Sequence, residues 1–180
     1  MIYTHEDTLS EFLIAEILNW NETSKGQDVW ASNQVKWVDS LKTATSGTIL
    51  SRVIPDGLKA AIYNELQSRG KLSYIPYSSS ALFYLGFPNS CVNWHADYPD
   101  YDAMSIYLNK RWDSNWGGWF AYTEDYNRRQ DQVEPGSGKF IVPRYNTAIR
   151  STDMEWHCTT PISPFAETRV SIQLFFSKEV

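Results

Sequence analysis

Residues 169–176 read RVSIQLFF. Val170, Ile172, Leu174 and Phe176 alternate with Arg169, Ser171, Gln173 and Phe175, and a side-chain period of two is that of an extended strand with one apolar face. The opposite face opens with a cation and a hydroxyl side by side. A strand over 168–176 is therefore expected to pack its oily side into a core and to leave a polar side that is useful where it borders a pocket.

Upstream of this strand, from about residue 71, the chain consists of short β-prone runs between turn residues, at 72–76, 82–86, 91–96, 103–109, 117–122, 138–143, 146–150 and 156–159. That spacing predicts a mainly β body, a sandwich or barrel. Residues 123–137 (TEDYNRRQDQVEPGS) are too polar for a core and read as a loop closed by Pro135-Gly136. Two helices lead the chain. The first follows a capping-box signature, Thr8-Leu9-Ser10-Glu11, and carries Phe12, Ile14, Ala15, Ile17 and Leu18 to about Trp20. The second starts after Pro55-Asp56, sets Leu58, Ile62 and Leu66 on one stripe, and stops at Gly70. Residues 23–54 between them read as loop with short extended pieces. No repeat or linker divides the 180 residues, so a single domain over 1–180 is expected, helical over about 1–70 and β over about 71–180.

Eight Trp and eleven Tyr argue for a folded body with aromatics left over for a binding surface. A net charge of −5 with scattered Lys and Arg excludes a phosphate-binding face, and no nucleic-acid partner is expected. Arg128-Arg129 stand among Glu124, Asp125 and Asp131, as in a solvated loop. No apolar run is long enough to span a bilayer, and MIYTHEDTLS lacks a basic start followed by an apolar stretch, so a cytoplasmic protein without a membrane partner is expected. Cys91 and Cys158 do not make a disulfide framework in such a chain and are expected as reduced thiols.

The chemistry concentrates in NWHADYPD, residues 93–100. Side chains at i and i+2 of an extended chain point the same way, so His95 and Asp97 can deliver an imidazole and a carboxylate to one point. A third ligand must come from elsewhere. His5 lies in an N-terminus expected to fray, which leaves His157, in the predicted strand near EWHCTT, as the better placed. Two His and one carboxylate on one face of an octahedral ion leave three positions open, the arrangement with which non-haem Fe(II) binds a co-substrate and O₂. Arg169, a dozen residues after His157, is placed to hold a carboxylate bidentately. Bland alternatives stand beside these: an Asp97 that only neighbours a hydrogen-bonded His, and an Arg169 in an ordinary salt bridge. A further alternative is a jelly-roll binding module without catalytic activity, carrying a structural zinc on Cys91, Cys158, His95 and His157.

The ordered set resembles the prolyl-4-hydroxylase-like branch of the Fe(II)/2-oxoglutarate-dependent dioxygenases. It comprises His95-Ala96-Asp97, Tyr107-Leu108-Asn109 with Trp112, Gly117-Gly118, the run from Glu134-Pro135-Gly136 to Pro143, His157, and Arg169-Val170-Ser171, over about residues 82–176. The resemblance implies a double-stranded β-helix, a jelly-roll or cupin-like fold braced by the N-terminal helices. It implies Fe(II) held by His95, Asp97 and His157, with 2-oxoglutarate and O₂ as co-substrates and ascorbate as a reductant. Arg169 would pair with the distal carboxylate of 2-oxoglutarate, Ser171 would assist it, Tyr107 would add a hydroxyl, and Tyr84 is a weaker candidate for the same pocket. The carboxylate of Asp97 favours hydroxylation of an unactivated C–H over halide transfer, since the related halogenases lack it. By the same resemblance the substrate is a prolyl residue in a peptide or protein, with a free amino acid or other small molecule as the alternative. Tyr98, Trp116 and Trp119 are the candidate substrate contacts. Trp119 departs from the family, in which the position after the Gly-Gly pair is often acidic, and this points to unusual substrate contacts there. Oligomeric state has no signal in the sequence.

Overall fold

The alternating run forms β11 (Arg169–Ser177), the central strand of a seven-stranded antiparallel sheet in the computed structural model. The structure describes residues 1–24, 30–32, 46–97, 99–123, 138–152 and 155–177. In the large sheet the strands run β1 (Ile2–His5), β9 (Ala148–Ser151), β6 (Tyr101–Tyr107), β11, β4 (Ser79–Gly86), β3 (Ile49–Val53) and β2 (Ala31–Ser32). A second, four-stranded sheet has the order β5 (Val92–His95), β10 (His157–Thr159), β7 (Phe120–Tyr122) and β8 (Lys139–Ile141). Among the described residues, helices α1 (Glu11–Thr23) and α2 (Asp56–Ser68) pack against the large sheet.

Alternation along β11 assigns the faces of the large sheet. Ile172, Leu174 and Phe176 join Phe83, Met104 and Ile106 in one buried cluster with Leu13, Ile14 and Ile17 of α1 and Ile62 and Leu66 of α2. Trp20 meets Phe83 and Tyr63 meets Phe176 edge-on, at centroid distances of 6.1 and 6.0 Å. Each such aliphatic side chain contributes about 1.5–3 kcal/mol on burial, which is what holds the helices to this face. Residues that stand opposite each other in antiparallel strands share a face. The other face of the large sheet therefore carries Arg169, Ser171 and Gln173 of β11, with Tyr107 opposite Ser171 and Ser105 opposite Gln173. It looks toward the small sheet, and a second cluster of Tyr107, Phe120 and Ile149 joins the two.

Several local expectations change in the folded chain. The N-cap of α1 is Ser10, whose Oγ accepts from Leu13 N at 3.2 Å, and the glutamate that reaches back to the Ser10 N–H is Glu65 of α2. Thr8 instead donates to His5 O at 3.2 Å. The N-terminus is not frayed, because β1 pairs with β9 from Ile2↔Ser151 to His5↔Ala148. Residues 72–76 form no strand, since the Lys71 and Leu72 amides both return to Leu66 O to finish α2 and Leu72 sits in the core. Gly70, at φ 66°, ends that helix as expected. Of the expected loop over 123–137, Thr123 is buried and donates its amide to Trp156 O, while 124–137 lie outside the described residues. Among the described residues no helix is long and apolar enough to cross a membrane.

Candidate active site

The small sheet brings the two histidines together by register. His157 stands directly opposite His95 across the β10–β5 pair and opposite Tyr122 across the β10–β7 pair. The imidazole centroids are 4.3 Å apart. Asp97, two residues beyond His95, closes the triangle, with Oδ2 3.6 Å from His157 Nε2, and the three ligand atoms all lie within 4.8 Å of one another. This is the only group of three or more metal-ligating side chains that close among the described residues. The alternative four-ligand zinc set is not assembled. Cys158 follows His157 on an alternating strand and so faces the opposite way, and Cys91 contacts Ser46 Oγ at 3.1 Å. His5, the other candidate third ligand, is on β1 at the edge of the large sheet.

The two rings are oriented alike. His95 Nδ1 donates to Asn93 O and His157 Nδ1 to Glu155 O, each at 2.7 Å and each across two residues. A carbonyl on Nδ1 fixes the tautomer and leaves the Nε2 lone pair for an ion. Burial, reinforced by His157, lowers the His95 pKa to about 4 against the opposing pull of Asp97 and of the Asn93 carbonyl, so this ring is neutral at pH 7. Phe120 stacks on His157 at 4.9 Å and 15° and fixes its plane. Asp97 Oδ2 is buried without a hydrogen bond. An orphaned carboxylate oxygen facing two nitrogen lone pairs is costly unless a cation sits between them, and the donor set suits ferrous iron.

Across the gap, Arg169 is 5% exposed, and among the described residues no carboxylate pairs with it. Its Nη1 donates to Gly118 O at 2.7 Å, its Nε is buried and unpartnered, and burial lowers its pKa. A charge buried this way is unfavourable until an anion reaches it. The Tyr107 ring lies 6.0 Å from the guanidinium carbon, and its hydroxyl has no hydrogen-bond partner among the described residues. Ser171 follows Arg169 on the same face and is 1% exposed. Tyr84 flanks Ser171 from the other neighbouring strand. Phe120, stacked on His157, and Tyr107, beside the Arg169 guanidinium, belong to one cluster with Ile149, which joins the triad to Arg169 between the sheets.

Two devices place Arg169 that its own strand does not explain. Asn109 clamps the start of β11, donating Nδ2 to Thr168 O at 2.9 Å and accepting from Val170 N at 2.6 Å. The Gly117-Gly118 turn aims the Gly118 carbonyl at the guanidinium. Both glycines have φ near +65°, and a Cβ would fall 2.2 Å from Pro161 O at Gly117 and 3.1 Å from Trp112 and Ile162 at Gly118. The glycines were legible as a motif, whereas the carbonyl acceptor was not. Phe120 was legible only as one position of a strand.

The expected substrate contacts fare differently. Trp116 packs edge-on against Trp112 at 5.4 Å, beside the Gly118 turn. Trp119 is not brought to the site. It stacks on Phe140 at 4.5 Å, and Phe140 stands opposite Ala121, on the face away from Phe120 and Ile141. Tyr98 lies outside the described residues.

No family model matches the sequence, and no curated protein sequence matches it. Solved structures do resemble the fold. A prolyl-4-hydroxylase from Pseudomonas putida superposes with a TM-score of 0.66 at 13% identity, covering 99% of this chain and 93% of that one. A Trichoplax adhaerens prolyl hydroxylase, in complex with a peptide fragment of the hypoxia inducible factor oxygen degradation domain, gives 0.67 at 17%, covering 98% and 83%. HygX from Streptomyces hygroscopicus, with nickel, 2-oxoglutarate and hygromycin B bound, gives 0.68 at 8%, covering 98% and 82%. This chain shares the fold of these structures.

Proposed function

We propose that this chain is an Fe(II)- and 2-oxoglutarate-dependent dioxygenase, prolyl-4-hydroxylase-like, that hydroxylates an unactivated C–H of a prolyl residue in a peptide or protein. The observation that carries the reading is the pairing of two unmet needs joined by one side-chain cluster. A triangle of two Nε2 lone pairs and an orphaned carboxylate oxygen calls for a cation, and the cluster of Phe120, Tyr107 and Ile149 joins it to a buried guanidinium that calls for an anion. A metal-chelating oxoacid with a distal carboxylate answers both.

His95, Asp97 and His157 would hold the iron, which would supply O₂ activation coupled to conversion of 2-oxoglutarate into succinate and CO₂. Arg169, backed by the Tyr107 and Ser171 hydroxyls, would receive the distal carboxylate and so orient the oxoacid. Tyr84 borders that pocket. The stacked Phe120 and the Tyr107 ring exclude water from the space between the sheets. The chain acts as one catalytic domain, and ascorbate serves as the reductant that keeps iron ferrous.

A second reading, a small-molecule substrate, is supported by the equal fit of the fold to HygX and to the prolyl hydroxylases. One assay separates them. Succinate formation from 2-oxoglutarate under Fe(II) and ascorbate is measured alone and with prolyl peptides, free amino acids or aminoglycoside-sized compounds, and stimulation by prolyl peptides is expected. Absence of any succinate above a His157→Ala control would sink the oxygenase reading, and stimulation by small molecules alone would replace the substrate.

A further inference from the structure

Beyond Arg169, Ser171 and Tyr107, the inner face of the large sheet carries a polar chain. Ser105 Oγ donates to Gln173 Oε1 at 2.6 Å, and Gln173 Nε2 donates to Ser171 Oγ at 3.2 Å. Ser105 and Gln173 are cross-strand partners, as are Tyr107 and Ser171 in the next row toward Arg169. A serine hydroxyl has one proton. With Gln173 as its donor, Ser171 keeps that proton, and among the described residues no acceptor takes it. The opposite amide orientation would consume the proton, because Oε1 would then face Ser171. The two lengths decide between them, since 2.6 Å falls in the range of O–H···O bonds and below that of N–H···O bonds, whereas 3.2 Å fits N–H···O and exceeds O–H···O; the Ser105 hydroxyl favours this orientation by donating to Oε1.

We propose that Ser105 and Gln173 are positioning residues for co-substrate binding: their hydrogen-bond chain turns the Ser171 hydroxyl into an obligatory donor to the carboxylate that Arg169 receives. This rests on the oxygenase reading and deepens it, by making affinity for the distal carboxylate depend on two residues that do not touch it. Each donor in such a chain polarises the next.

The test is calorimetric titration of 2-oxoglutarate into the full chain loaded with Mn(II), alongside thermal denaturation of each ligand-free protein. Ser105→Ala frees the amide to turn, and its Kd is expected to rise about three- to tenfold. Gln173→Glu places an acceptor against Ser171 and a second anion near the carboxylate, and a rise of more than about tenfold is expected. Ser105→Thr keeps the hydroxyl and stays within about twofold of the parent, given the small change in the donor. A 2-oxo monoacid such as pyruvate, which has no distal carboxylate, binds the parent and Ser105→Ala alike. A purely structural role would lower the melting temperature of Ser105→Ala and leave both Kd values where they were, and that result overturns the proposal. So does an equal loss for pyruvate and 2-oxoglutarate. If the parent itself fails to bind 2-oxoglutarate, the oxygenase reading falls and the chain's role with it; binding by the parent with unchanged variants removes the role alone.

Discussion

Replacement of Arg169 by methionine separates stability from function. Unliganded, the guanidinium is buried and, among the described residues, has no carboxylate partner and one hydrogen bond, to Gly118 O at 2.7 Å. Removing an uncompensated buried charge relieves a desolvation penalty of several kcal/mol. Losing its single bond and orphaning the Gly118 carbonyl costs about 1–3 kcal/mol. The two nearly cancel, so the ligand-free variant is expected to be as stable as the parent or more stable by about 1–2 kcal/mol, a melting-temperature rise of roughly 2–8 °C for a chain of this size. Ligand binding responds oppositely. The charge-assisted contact to the distal carboxylate is worth about 3–5 kcal/mol when one partner is removed, or roughly two to four orders of magnitude in Kd. Thermal denaturation with Mn(II), with and without 2-oxoglutarate, reads both effects. At a concentration about 100 times its Kd, 2-oxoglutarate stabilises the parent by about 2.7 kcal/mol, and the variant gains about 0.4 kcal/mol or less at the same concentration. A variant that loses more than about 2 kcal/mol of ligand-free stability, yet still responds to 2-oxoglutarate, would show that Arg169 is a structural residue whose charge is satisfied within the protein.

Gly118→Ala puts a Cβ 3.1 Å from Trp112 and Ile162 at φ +65°, so it is expected to lower stability by about 1–3 kcal/mol and to raise the KM for 2-oxoglutarate by displacing the carbonyl that holds Arg169; a wild-type KM contradicts this. Asn109→Ala removes both backbone contacts around Arg169 and is expected to cost about 2–4 kcal/mol, measured by urea denaturation, whereas a loss below about 0.5 kcal/mol means that water replaces them. The pKa of His95 is depressed to about 4, so the metal-free protein has its full stability from this group above pH 6.5 and loses it as pH falls toward 4, where the unfolded chain binds the extra proton. Denaturation of the metal-free chain at pH 7.5 and 5.0 tests the sign, and a His95→Asn variant should show a shallower pH dependence than the parent.

Local periodicity settled a good deal of this molecule before any contact was known. The alternation in 169–176 placed Arg169 and Ser171 on one face and the core residues on the other, because a strand offers only two directions to its side chains. The stripe Leu58, Ile62 and Leu66 found the buried side of α2 for the equivalent reason in a helix. Short i, i+2 spacing likewise put His95 and Asp97 within reach of one point. Tertiary structure decided whatever depends on which strand lies beside which. The register that sets His157 opposite His95, the distant Glu65 at the cap of α1, and the turn of Trp119 toward Phe140 and away from the metal triad each follow from pairings between segments far apart in sequence. That no carboxylate among the described residues pairs with Arg169 belongs to the same category. A sequence shows that an arginine is present, but whether it is buried with an unpartnered Nε depends on the residues packed around it, and Gly118 and Tyr107 come from segments distant in the chain.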